Sequence, residues 1–158
     1  MIIAINLISA SHRGGFKTYI NKLFEQIIKV DTKNTYFIFS NNSDLISKKN
    51  IPSNFNIIFH PNRHNSVIYR MIWMQFVLPW KLKYLNVDAL FSPLNYSPII
   101  IQLLNIKSIL AIHSNLIWLY PNDMPRSYLN SLVIRLMVNM SIKYSSLIIV
   151  DSKTAEEE

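Results

Sequence analysis

Gly14 and Gly15 are the only two glycines in a chain of 158 residues, and they stand side by side between an apolar run and an amphipathic helix. Ordinary usage, about 7 %, would supply roughly eleven. A chain that does without glycine elsewhere and places both here fits a backbone that turns sharply or meets a ligand at close range. The chemistry on offer is anion binding. A helix start presents unpaired N–H groups and the positive end of the helix dipole, and a missing Cβ lets a phosphate approach them. A plain tight turn between strand and helix is the competing reading. Arg13 and Lys17 flank the loop, where they either draw phosphate or are simply solvated.

A second group sits at His113-Ser114-Asn115, directly after the apolar run Lys107 to Ile112. An imidazole there can hydrogen-bond a ligand hydroxyl or donate to developing charge, unless local backbone already satisfies it. Asn95, in the proline-stiffened loop Ser92 to Pro98, and Ser152, after the last apolar run, occupy comparable positions. Trp118, in the long loop after His113, is the tryptophan best placed to touch a second substrate, whereas Trp73 reads as core.

Two familiar phosphate loops are excluded. The P-loop needs glycine immediately before Lys17, where Phe16 stands, and a dinucleotide fingerprint needs three spaced glycines. No metal is expected either. The chain has no cysteine, and His12, His60 and His64 lack ligand spacing because Pro61 breaks any helix that would align the last two.

The elements that must position these residues follow from hydrophobic pattern. Ile2–Leu7 is a short apolar run, interrupted by Asn6, that suits a strand buried on both faces. Phe16, Tyr19, Ile20, Leu23, Phe24, Ile27 and Ile28 recur at helical spacing. Strands are expected at Thr35–Phe39, Asn56–Phe59, Val87–Phe91, Lys107–Ile112 and Leu147–Val150. A helix apolar nearly all round runs from Ser66 to Leu78, is interrupted by Pro79, and requires cover on both sides. A further helix spans Arg126 to Tyr144, with Leu129, Leu132, Val133, Leu136, Met137 and Met140 on one face.

Strand and helix alternate, so the fold class is α/β: a Rossmann-like parallel sheet of about six strands with helices on both faces. Ligands of such sheets bind beyond the carboxyl ends of the strands. The loops at those ends hold Gly14-Gly15, Ser92 to Tyr96, His113-Ser114-Asn115 and Asp151-Ser152, which geometry gathers along one rim. Residues 1–151 form that domain. Residues 152–158 carry a cap and an acidic first turn, and are expected to open an interdomain helix or linker, the partner domain lying beyond the chain.

Composition sets the outer bounds. With 50 % hydrophobic and 12 % aromatic residues the chain is globular, and its net charge of +7 points to an anionic partner. The cations are scattered, and neither an RNP-like strand nor a zinc knuckle occurs, so nucleic acid is not the expected partner. No secretory signal opens the chain, and Val67–Trp80 is too short to span a bilayer. A cytoplasmic protein is expected, with peripheral association at an anionic inner membrane face.

Taken together, several of these runs resemble the N-terminal half of a retaining, nucleotide-sugar-dependent glycosyltransferase of family 4, which has the GT-B architecture of two facing Rossmann-like domains. The matching runs are Gly14-Gly15 with Phe16 and Tyr19, Asn34-Thr35-Tyr36, Val87 to Pro93, the strand ending in His113, Tyr120-Pro121 with Arg126, and Leu147 to Ser152. The resemblance implies transfer of a sugar from a nucleotide diphosphate sugar to a glycan or lipid-linked acceptor, with no cofactor beyond the donor substrate. It places Gly14 and Gly15 near the donor diphosphate and His113 beside the reacting sugar. Arg13, Lys17, Asn95, Ser114, Asn115, Trp118 and Ser152 fall along the cleft or the acceptor side. Many relatives follow the histidine with aspartate, and here Ser114 stands instead. The paired glutamates of the family's E-x7-E motif are also missing, since the glutamates are Glu25 and Glu156 to Glu158. This polypeptide alone is therefore expected to be inactive or nearly so. The competing reading is a non-catalytic module, truncated or completed by a separate subunit, that binds an anionic partner such as nucleic acid or membrane.

Overall fold

The computed structural model describes residues 1–8, 15–41, 51–60, 67–113 and 128–150. Six strands form one all-parallel sheet: β1 (Ile2–Leu7), β2 (Thr35–Ser40), β3 (Phe55–Phe59), β4 (Ala89–Ser92), β5 (Lys107–Ile112) and β6 (Leu147–Val150). Their order across the sheet is β3-β2-β1-β4-β5-β6. The chain moves outward from β1 to β3, then returns to the far side of β1 and moves outward again. That reversal has a structural consequence. Right-handed crossovers in opposite directions put their helices on opposite faces and leave a crevice where the direction changes, between β1 and β4.

Helix α1 (Gly15–Val30) joins β1 to β2 and buries Ile20 and Phe24 against Ile5, Leu7 and Ile38 on one face. On the other face α2 (Val67–Ile72), a π-helical turn (Trp73–Val77) and α3 (Leu78–Tyr84) run continuously from β3 toward β4. They pack Met71, Trp73, Met74, Leu78 and Leu82 on Ala4, Phe39 and Leu90. Helix α4 (Tyr128–Tyr144) joins β5 to β6 on that same face through Ile134 and Val138. Strand β1 lies in the middle, with Ala4, Ile5 and Leu7 essentially sealed from solvent.

Three details depart from expectation. Pro79 does not interrupt the helix. The N–H of Leu78 reaches back five residues to the Trp73 carbonyl, and a turn widened in this way accommodates a residue that has no N–H and whose ring crowds the preceding turn. The cover expected on both sides of this helix is present on one only, since Ile72, Phe76 and Trp80 face outward. In α4 the inward line is Ile134, Val138 and Ser141, while Leu129, Leu132 and Leu136 are exposed. On that line the Ser141 hydroxyl accepts from the Ser97 N–H (2.9 Å) and shares its proton between the carbonyls of Met137 (2.6 Å) and Ser97 (3.0 Å), while Val133 and Met137 of the expected face also pack on the core.

At the amino ends of the strands, Asp31 organises the α1–β2 turn. Its carboxylate accepts from the Tyr36 hydroxyl (2.6 Å), the Asn34 side chain (2.6 Å) and the N–H groups of Lys33 and Asn34. The Tyr36 hydroxyl, with help from Asn34, holds this carboxyl well below the usual carboxylate range. Burial and the neighbouring charge push Tyr36 upward in turn. This end of the sheet is stapled shut. The opposite end carries the candidate site.

Candidate functional site

Strand β5 delivers His113 one residue beyond its last paired position, Ile112. Side chains alternate along a strand, so His113 lies on the same face as Ile109 and Ala111, the face that α1 covers. Its ring meets Tyr19 edge-on with centroids 4.6 Å apart, and Phe16 edge-on at 6.0 Å. Phe16 and Tyr19 also touch each other, at 6.2 Å. The geometry suits aromatic quadrupoles and locks the imidazole against the first turns of α1. Its Nε2 is buried.

Backbone placement of His113 comes from the β4–β5 connection. Its N–H donates to Asn95 Oδ1 (2.8 Å), and the Asn95 N–H donates to the Ala111 carbonyl (3.2 Å). Asn95 adopts φ 62°, the left-handed conformation that asparagine tolerates better than most residues. The loop bearing Asn95 is anchored from beneath. Ser97 Oγ lies 3.1 Å from Ser92 Oγ and 3.0 Å from Ser108 Oγ, and Gln75, from the π-helical turn, donates to the Ser97 carbonyl (3.3 Å) and accepts from the Ile99 N–H (2.9 Å). Buried polar chains of this kind specify one geometry because every member is matched.

Gly15 opens α1 directly before Phe16, so His113 and the glycine-bearing helix start lie together at the carboxyl edge of the sheet. Gly15 does not have the left-handed backbone that a glycine-dependent turn requires, and a Cβ built on it meets no atom within 4 Å. Neither backbone strain nor packing demands glycine here. Lys17, on the same turn, is half-buried. The expected site residues Gly14, Arg13, Ser114, Asn115, Trp118 and Ser152 lie outside the described residues.

One polar residue escaped the sequence reading as a site candidate. Asn6, near the carboxyl end of the central strand, is fully buried; its Oδ1 accepts from the Ile8 N–H (3.2 Å), and its Nδ2 finds no hydrogen-bond partner among the described residues. A buried donor left in this state costs about 1–3 kcal/mol. It sits beside the β1/β4 crevice, on the face opposite α1, as the parity of Ala4 and Ile8 shows. The available signal was a single amide breaking an otherwise apolar strand.

Among the described residues no three His, Cys, Asp or Glu side chains cluster closely enough to hold a metal, and no helix is long and apolar enough to cross a membrane. His60, at the end of β3, stacks on Trp73 with centroids 4.4 Å apart. Burial, with a smaller contribution from the Lys81 charge, lowers its pKa below the ordinary histidine value. No family model matches the chain, and no curated protein matches it.

Proposed function

We propose that the chain is the acceptor-side, Rossmann-like half of a nucleotide-sugar-dependent glycosyltransferase, whose cleft a second, donor-binding domain completes. The observation that carries the reading is the packing of the His113 ring on Phe16 and Tyr19, in the first turns of the helix that Gly15 opens. In this reading the N–H groups of the helix start receive the donor diphosphate, which approaches over Gly15 where no Cβ intervenes. His113 orients the donor sugar or stabilises charge developing on it, its ring held by Tyr19 and its backbone by Asn95. Nε2 is buried, so contact through that atom requires the wall around it to part when ligand enters. The glycan or lipid-linked acceptor lies along the same rim, and the reaction uses no metal or cofactor.

The reading is tested by nucleoside diphosphate release from a panel of sugar nucleotides by the full-length protein, with His113→Ala and His113→Gln as variants. A preferred donor is expected, and both variants should lose about 100-fold or more in rate, the scale of one lost transition-state donor, with melting behaviour retained in at least one of them. Turnover of no sugar nucleotide, or wild-type rates in both variants, contradicts it.

A further inference from the structure

The continuous helical run of α2, the π-helical turn and α3 buries one side in the core and leaves the other uncovered. Ile72, Phe76, Trp80 and Tyr84 follow one another at intervals of four residues along that outer side. They are 53 %, 59 %, 60 % and 86 % exposed. In an uninterrupted α-helix residues four apart creep around the axis by about 40° per step. The widened turn over Trp73–Val77 takes up part of that drift, and all four remain on the uncovered side. The uncovered cations of this segment accompany the row: Lys81 and Lys83 are exposed, and Lys83 Nζ lies 5.7 Å from the centre of the Trp80 ring. From Asp44 to Asp88 the sequence contains six Lys or Arg residues and neither Asp nor Glu in between.

We propose that this row is a docking surface for an anionic lipid bilayer, on which the helix lies in the interfacial plane. Tryptophan and tyrosine present an apolar body and a polar tip and so favour the headgroup level, while lysines reach past them to anionic headgroups. A second copy of the chain is a poor occupant. A two-fold pairing through this face would place the lysines of both copies in the seam, and residues 45–87 supply no carboxylate to pair with them. An anionic surface satisfies both the apolar row and the one-signed charge. The inference rests on the outer helix face alone and is independent of the glycosyltransferase reading.

Flotation of the purified chain with vesicles of phosphatidylcholine alone, or with 30 % phosphatidylglycerol, tests it. The chain is expected to float with the anionic vesicles and to be released by high salt. Lys81→Glu with Lys83→Glu should weaken anionic-vesicle binding at least tenfold, since each basic residue near such a surface contributes about fivefold (roughly 1 kcal/mol) and two are removed together. Phe76→Asp with Trp80→Asp, both at exposed positions, should abolish flotation without lowering the melting temperature. Lys29→Glu, on α1 at the opposite face of the sheet, should float as wild type does. Four results overturn the proposal: no flotation with anionic vesicles, unaltered flotation of the Phe76/Trp80 variant, equal loss in Lys29→Glu, or a concentration-dependent dimer that Phe76→Asp dissociates.

Discussion

At the scale of single residues, Gly15 separates a turn requirement from a ligand requirement. Its backbone needs no glycine and its missing Cβ faces open space. Gly15→Ala is expected to leave the melting temperature unchanged or slightly raised, because alanine loses less chain entropy in a helix by up to about 1 kcal/mol. The same change should weaken nucleoside diphosphate binding, read by calorimetric titration. A destabilised Gly15→Ala with unaltered binding would return this position to the role of a plain turn. His60 supplies a second residue-scale expectation. Its folded pKa is lowered, so folding favours the neutral ring; that stability is fully present above the ordinary value near 6.5 and is lost as the pH falls below it. Asp31 does not titrate in that range, because its depressed carboxyl loses its contribution only below the ordinary carboxylate value. Thermal melts of wild type should therefore drop between pH 7 and pH 5, and His60→Phe, which keeps a ring on Trp73, should flatten that drop.

At the scale of elements, the π-helical turn links the outer helix face to the site loop. Gln75 is buried and bonds both the Ser97 carbonyl and the Ile99 N–H. Gln75→Ala leaves the Ile99 N–H unmatched and removes one of two donors to the Ser97 carbonyl, for an expected loss of about 1–3 kcal/mol. Because the same loop carries Asn95, amide exchange at His113 should accelerate in this variant while exchange at the Asp31 turn stays as it was. Uniform acceleration throughout the molecule would show that Gln75 acts on global stability alone. The elements also show where pattern reading succeeds. Strands β1 and β5 fall on the residues that apolar runs indicated, because a strand buried in a parallel sheet is written as such a run; β6 falls on its run too, although at the sheet edge its residues stay largely exposed. The outcome at α4 differs. Leu129, Leu132 and Leu136 form as apolar a face as the one that is buried; what marks the buried side is the packing of Ile134 and Val138 and the Ser141–Ser97 bonds, long-range contacts that periodicity does not encode. Pro79 reads as a break because its local penalty is legible, whereas the π-helical turn that removes it is not.

At the scale of the whole molecule, the sheet order brings the carboxyl ends of β1, β4 and β5 side by side at one edge of the sheet. The meeting of His113 with the Gly15 helix was legible in outline, since both follow strands of one parallel sheet. The aromatic lock by Phe16 and Tyr19 was not, because it depends on which face of β5 is turned toward α1. Asn6 was legible only as an interruption, since nothing in the sequence says that its Nδ2 remains unmatched among the described residues. The most direct test of the carboxyl-edge site is an amide NMR titration of the isotopically labelled chain with uridine and guanosine diphosphates. Saturable shifts are expected at Gly15, Phe16, Tyr19, Asn95 and His113, with Lys33, Asn34 and Tyr36 at the far end unmoved. Shifts centred on the Asp31 turn, or none at millimolar diphosphate, would contradict the site.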